Sequence, residues 1–391
     1  MQSTGIVAEF NPFHLGHKFL IDTAKANGDA VVCVMSGNFV QRGDTAIFDK
    51  FTRAKMAVKC GADLVVELPT PWSMSTAQNF AFGAVGILSS LGITDKILFG
   101  SECADISLLQ KTADILCSDW FNQKIKERIA FSSKTFASVR SEIINQFYGD
   151  ISGVLNNPND TLGVEYIMAA KRLGFDCEFQ CVKRIGASHD SNLTDTTASA
   201  SLIREHLKNG DFAFVDAFMP KMAADLAKVA PISDIKRIEN AILSKLRLDV
   251  LSSNVNLPDV SEGLENRLKN AVLKATDYQE LLDLIKTKRY TLSRIRRLVL
   301  SAFLGIDDTF FGKTPPYIRV LALGENGESL LKEAAKKSTV PIITKVKQLD
   351  ISDEFTNKVW QLENKASDVF SLSLNPPQEC GSEYYNKIFK I

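Results

Sequence analysis

The sequence predicts an α/β fold, a Rossmann-like parallel sheet covered by helices on both faces, followed by a mainly helical carboxyl-terminal half with a small α/β unit. Three observations carry this. Short runs rich in Val, Ile and Leu recur through the first half with helical patterns between them, and strands alternating with helices imply a parallel sheet. After about Leu207 the apolar spacing turns helical, and a strand, helix, strand succession returns near the carboxyl end. With 391 residues and 45% apolar content, the chain can bury at least one full core and divide in two.

Taken in order, Gly5 to Phe10 is the first expected strand, and the helix after it continues through Ala24. Ala30 to Ser36, Asp63 to Leu68 and Lys96 to Gly100 are the next three strands, each a short apolar run. A largely helical segment, Asp105 to Tyr148, separates the fourth strand from the fifth, Cys177 to Arg184. Between them Asn159 to Leu173 reads as one amphipathic helix, with Asn159 in a capping position. Helices over Lys236 to Leu246, Gly263 to Ala275 and Leu292 to Leu304 follow. Tyr317 to Leu323, Glu328 to Lys337 and Val340 to Lys345 then read as strand, helix, strand. The change of pattern at residues 205 to 215 divides the chain into domains 1–207 and 208–391.

Composition excludes several classes. Lys plus Arg (46) cancel Asp plus Glu (46), so no global basic field announces nucleic acid, and such a contact must come from a local patch. The amino terminus lacks a basic segment followed by an apolar one, and nowhere do roughly eighteen apolar residues run together. A cytoplasmic protein with no membrane contact is expected. The seven cysteines are odd in number and scattered, as reduced thiols are, and the close pair Cys177 and Cys181 has no second pair to complete a zinc site. No protein-held metal is expected.

The chemistry concentrates where the first strand meets the first helix. The strand runs into Asn11-Pro12-Phe13, and His14-Leu15-Gly16-His17-Lys18 opens the helix. Helix amides and the dipole there favour anions, Gly16 permits close backbone approach, and His14 and His17 share one helical face. Two of only four histidines fall at this junction. Capping a helix or filling an interface is the competing role, but the strand-turn-helix context favours a nucleotide site. The motif resembles that of the HxGH nucleotidyltransferases, in which a later Ser/Thr-x-x-Ile-Arg-like element closes over the phosphates. Ser199-Ala200-Ser201-Leu202-Ile203-Arg204 matches it. Arg204 suits a bidentate phosphate contact, and Ser201 suits capping its helix and donating to the same group.

A closer resemblance covers most of the chain. Ile6 to His17, Met35-Ser36-Gly37-Asn38-Phe39-Val40-Gln41-Arg42-Gly43, Gly61 to Pro69, Phe99-Gly100-Ser101-Glu102, Asn159 to Tyr166 and Lys183 to Ala187 together resemble the tRNA(Met) cytidine acetate ligase family. The family's Tyr-His-Asp-like run is here Ser188-His189-Asp190, a departure at position 188. The resemblance implies ATP-dependent activation of acetate to acetyl adenylate, then acetyl transfer to N4 of the wobble cytidine of elongator tRNA(Met). ATP, acetate and that tRNA are the partners so implied, magnesium is expected with ATP, and no stable protein partner is expected.

Residues suited to these roles follow. Val7, Ala8, Glu9, Phe10, Asn11, Pro12, Phe13, His14, Leu15, Gly16, His17, Lys18, Phe19 and Leu20 would surround ATP, and Gly100 ends the fourth strand beside the same crevice. His14 and His17 are the catalytic pair, with Lys18 in reach of the β- and γ-phosphates or simply solvated. Asn159 either bonds the base or ribose or caps its helix. Arg184 binds phosphate, stacks on adenine, or closes the strand through an ion pair. Asn38 and Arg42, in the loop after the second strand, suit a small carboxylate.

Between Asp283 and Asp307 no acidic residue occurs, while Lys286, Lys288, Arg289, Arg294, Arg296 and Arg297 accumulate around Tyr290. Leu292, Ile295, Val299 and Ala302 would face the core, leaving Arg294 and Arg297 on another face to meet RNA phosphates or solvent. Two other readings stay open at this stage: a metabolite adenylyltransferase without RNA, which would not need so large a carboxyl-terminal half, and a non-catalytic ATP sensor or RNA-binding adaptor.

Overall fold

The computed structural model describes residues 2–130, 136–151, 153–184, 198–249, 256–260 and 263–391. Five strands are parallel neighbours: β1 (Ser3–Ala8), β2 (Ala30–Ser36), β3 (Leu64–Leu68), β4 (Lys96–Ser101) and β5 (Glu178–Lys183). From the carboxyl-terminal half come β6 (Ile318–Leu323), β7 (Ile342–Ile343) and β8 (Phe389–Lys390). The order is β7-β6-β3-β2-β1-β4-β5, with β8 also on β6. Register pairs Ile6 with Cys33, Val34 with Val66 and Gly100 with Val182.

The strands read as continuous apolar runs because both faces are covered. Val32 and Val34 pack in one core with Leu64, Val66, Ile97 and Phe99, while Val31, Cys33 and Met35 pack in the other with Ile6, Val65 and Leu98. Helices α1 (Leu15–Ala26) and α2 (Lys50–Lys59) cover the second face through Ile21, Ala24, Ala54 and Ala57. Helices α3 (Ala77–Leu91) and α4 (Pro158–Leu173) cover the first through Phe80, Ala84, Leu88, Val164 and Ile167. Each large side chain so buried contributes about 1.5–3 kcal/mol. From β1 the chain builds outward to β2 and β3 on one side and to β4 and β5 on the other. That reversal opens a crevice beyond the carboxyl ends of β1 and β4, where ligands bind in such sheets.

Several expectations shift by a residue or two, and three change meaning. Asn157 occupies the cap of α4, so Asn159 lies inside the first turn with its side chain left for other contacts. Helix α5 (Ala200–Lys208) is capped by Ser199, which accepts from the Leu202 N–H, and Ser201 is not the cap. In α6 (Leu292–Leu304), Ile295, Val299 and Ala302 are buried as expected but Leu292 is exposed, because the preceding Thr291 caps the helix at the surface. The segment after β4 holds the helices Ile106–Cys117, Asp119–Ala130 and Phe136–Phe147. The late strand, helix, strand is β6, α7 (Gly327–Lys337) and β7. Its strands extend the amino-terminal sheet, with β6 antiparallel to β3.

A buried ionic cluster fastens the two halves near the crevice. Lys50, fully buried, meets Glu67 at 2.6 Å and also Glu383. Glu363, on α8 (Glu354–Ser373), accepts the Thr70 N–H at 2.5 Å, and Ser367 donates to Glu383 at 2.6 Å. Burial alone would discharge Lys50, but Glu383, Glu67 and Glu363 outweigh it and raise its pKa. Burial and then Glu67 push the Glu363 carboxyl well above its ordinary range. All seven cysteines are free. Among the described residues no helix is long and apolar enough to cross a membrane, and no group of three His, Cys, Asp or Glu is placed to hold a metal.

Candidate active site

Past Ala8 the chain leaves the sheet. Phe10 adopts φ +46°, a left-handed conformation that costs a bulky residue free energy and persists only where its surroundings enforce it. Those surroundings are dense: Phe10 and Phe13 are buried, and both rings lean on His17, at centroid distances of 5.0 and 5.6 Å. Asn11 accepts the Ile47 N–H through its side chain at 2.8 Å and the Arg204 guanidinium through its carbonyl at 2.7 Å.

His14 then caps α1. Its Nδ1 accepts the Gly16 N–H at 3.0 Å, and Nδ1 of His17 accepts the His14 N–H at 3.2 Å, a capping box built from two imidazoles. The rings stack with centroids 3.8 Å apart. A side chain on Gly16 would place Cβ 2.9 Å from His14 Cε1, so glycine lets the first ring fold over the helix start. Because each Nδ1 accepts a backbone N–H, each neutral ring carries its proton on Nε2, a donor free of the capping bond. Burial, then Arg184 and Arg204, lower the pKa of His14 to about 3, and burial, His14 and Arg184 hold that of His17 well down. Both therefore act as neutral N–H donors at ordinary pH.

The β4 side mirrors this. Gly100 lies under Arg184, whose Cγ would stand 3.1 Å from a Cβ at that position. Arg184 donates to Asn159 Oδ1 at 2.7 Å, and the Asn159 amide donates to Glu102. Asp160, fully buried, accepts from Ser101 Oγ, from the Glu102 and Cys103 N–H groups and from Asn157. On α5, Arg204 donates to Ser201 Oγ at 3.0 Å as well as to Asn11. Burial lowers its pKa, opposed by Glu9 and Asp44. Two neutral imidazoles thus lie within the field of two guanidiniums, Arg184 and Arg204, a setting suited to a polyphosphate.

The expected residues divide. His14 lies within electrostatic range of Arg184 and Arg204, Gly100 and Asn159 touch Arg184, Asn11 and Ser201 hold Arg204, and Phe10 and Phe13 pack on His17. Leu15 and Phe19 are exposed, Leu20 is half-buried, and Lys18 pairs with Asp22 on the helix surface. Asn38 does not suit a small carboxylate: it is buried, and its amide is taken up by the Lys50 N–H at 2.9 Å and Ser367 Oγ at 3.2 Å. Arg42 is exposed, within electrostatic range of Arg204. His189 and residues 185–190 around it lie outside the described residues.

The basic patch splits. Arg294 and Arg297 both pair with Asp259, at 3.2 and 3.3 Å, and Arg294 lies 5.2 Å over the Tyr290 ring. Lys286 donates to the Tyr290 carbonyl. Arg297 also donates to the Gln41 carbonyl at 3.3 Å, while the Gln41 N–H donates to Glu9 at 2.9 Å. Arg296 points elsewhere, into the field of Asp44 and Arg204. Helix α6 rides so close on Gly43 that a Cβ there would sit 2.5 Å from the Arg297 nitrogen. Three residues escaped sequence reasoning: Glu102, Asp160 and Arg53. The first two lay inside matched stretches, and the only signal for Arg53 was a second cation one turn after Lys50.

The chain is similar to known proteins over nearly its whole length. The family model HIGH Nucleotidyl Transferase matches residues 1–384. The tRNA(Met) cytidine acetate ligase of Thermoanaerobacter sp. strain X514 is 37% identical over 405 residues, covering 99% of each chain. The crystal structure of apo Thermotoga maritima TmcAL superposes with a TM-score of 0.92 at 29% identity, covering 100% of both chains. The same protein bound with alpha-thio ATP gives 0.90 at 30% identity, again over 100% of both chains.

Proposed function

This chain belongs to the tRNA(Met) cytidine acetate ligase family of HIGH nucleotidyl transferases, and from that premise we propose how its crevice makes and uses an acyl adenylate. An acetate oxygen attacks the α-phosphorus of ATP, the bond to the bridging oxygen breaks, and pyrophosphate leaves. The N4 amine of the wobble cytidine of elongator tRNA(Met) then attacks the acetyl carbonyl, loses a proton and releases AMP.

The observation that supports this best is the pair of stacked, neutral imidazoles on the first turn of α1, each with Nε2–H left to donate. Charge builds on the α-phosphate and on the departing pyrophosphate, and fixed donors that tighten there lower the barrier without forming a covalent intermediate. Arg204 and Arg184 hold phosphate oxygens, and Asn159, whose amide gives one N–H to Glu102, offers the other to the base or ribose. Lys18 reaches a phosphate only by leaving Asp22, an exposed and therefore weak pair. Magnesium accompanies the phosphates of ATP, as the chemistry of a nucleoside triphosphate calls for.

Residues 1–207 carry the chemistry and residues 208–391 hold the RNA, the two sharing one sheet. Lys286, Lys288, Arg289 and Arg294 around Tyr290 form the phosphate-facing surface. The test is incubation with ATP, magnesium and radiolabelled acetate, with and without bulk tRNA. Label should appear in tRNA only when ATP is present. Label that never leaves acetate would overturn the proposal.

A further inference from the structure

Arg53 ends the first turn of α2, three residues after Lys50, and is fully buried. Both features run against local physics: a cation at a helix amino terminus opposes the dipole, and a buried guanidinium needs compensation. Among the described residues its hydrogen bonds go to main-chain carbonyls. Nε donates to Phe48 at 3.0 Å, Nη1 to Glu9 at 2.5 Å, and Nη2 to Gly37. Burial lowers its pKa to about 10, opposed by Asp49, Glu9 and Glu67, so it stays charged at neutral pH.

These carbonyls come from segments beyond the sheet's own pairing. The ladder between β1 and β2 ends at Ala8 and Met35. Beyond it, Glu9 begins the loop to His14, and Gly37 begins the loop to Gly43. One planar fork spans both strand ends and the turn before α2, which a single ammonium cannot do.

We propose that Arg53 is a positioning residue for adenylate formation: its guanidinium sets the offset between the loop carrying Phe10 to His14 and the loop carrying Gly37 to Gly43. It acts through Phe10, whose left-handed backbone follows directly on the Glu9 carbonyl, and so aims the two imidazoles. The inference rests on the reading of the crevice as an adenylate-forming site.

The test compares Arg53→Lys with Ala57→Gly, which loosens the same helix without removing a charge beside Arg53 or touching the three carbonyls. Urea midpoints, ATP affinity by calorimetry, and kcat and KM for acetate-dependent exchange of pyrophosphate into ATP are measured on the whole chain. In Arg53→Lys, kcat per folded molecule should fall about a hundredfold, the cost of roughly ångström misplacement, with KM for ATP within about threefold. Ala57→Gly should keep kcat per folded molecule within about twofold of the parent. Equal kcat in Arg53→Lys and the parent, or equal losses in both variants, overturns the positioning role. Should Arg53→Lys not fold, Arg53→Gln carries the same comparison without a buried charge. A parent that exchanges no pyrophosphate would instead overturn the adenylate reading itself.

Discussion

Glu102 and Asp160 accept each other's backbone N–H: Asp160 Oδ1 takes that of Glu102 at 2.8 Å, and Glu102 Oε2 takes that of Asp160 at 2.9 Å. The exchange locks the loop after β4 to the start of α4, and Glu102 also holds the Asn159 amide against Arg184. Removing Arg184 as Arg184→Ala should weaken ATP binding by about 1.5–3 kcal/mol, the worth of a charge-assisted contact. Glu102→Ala should weaken it by a smaller, measurable amount while costing the fold about 1 kcal/mol of helix capping. Calorimetry decides: wild-type ATP affinity in Glu102→Ala would return the pair to a purely architectural role.

His14→Ala and His17→Ala should each slow adenylate formation by roughly a hundredfold or more while leaving the protein folded. The pH profile discriminates further. With both pKa values depressed, His14 to about 3, turnover should show no acid limb near pH 6.5, where an ordinary histidine titrates. The same depression means that these rings add stability above their unfolded pKa, which is lost as pH falls through that value toward 3. An acid limb near pH 6.5 that vanishes in His14→Ala would show a charged imidazole at work.

The contrast between what the sequence displayed and what it hid has a physical origin. His14, Gly16, His17 and the strand before them were legible because their constraints are local: a cap, a tight approach and a first helical turn. Arg204 was legible only as the second half of a motif. Arg53 and Asp160 act on backbone groups of segments distant in sequence, which no periodicity records. Asn38 is the converse case: its polar side chain in a glycine-flanked loop looked available, yet it is buried, with Lys50 and Ser367, the latter 329 residues away, as partners.

The buried cluster around Lys50 sets a pH dependence of its own. Burial raises the Glu67 and Glu363 carboxyls above their ordinary value. A raised folded-state pKa keeps the native state protonated where the unfolded chain ionises, so stability is fully present below the unfolded pKa and declines as pH climbs through the folded one. Glu363→Gln keeps an acceptor for Thr70 and removes one ionisation. From the ordinary glutamate range into the alkaline range it should lose less stability than the parent, by on the order of 1 kcal/mol. Urea titrations at both ends that give parallel losses would contradict this.

RNA binding and chemistry should separate at α6, provided the right arginine is changed. Arg297 is a poor probe because it donates to Gln41, whose N–H braces Glu9 at the mouth of the crevice. Arg296 is compromised too, lying within the field of Arg204. Arg294 bonds Asp259 and stacks over Tyr290, and neither partner belongs to the strand-end loops. Arg294→Ala together with Lys288→Ala should therefore leave tRNA-independent adenylate formation unchanged. It should also lower tRNA affinity and reduce the slope of log affinity against log salt by about 0.7–0.9 for each phosphate no longer neutralised. Arg297→Ala should instead impair both activities, through the released Gln41. If the double variant binds tRNA with the parent's affinity and salt slope, the patch is a solvated helix face and the RNA surface lies elsewhere. If it loses adenylate formation in parallel, the division of labour between residues 1–207 and 208–391 is wrong.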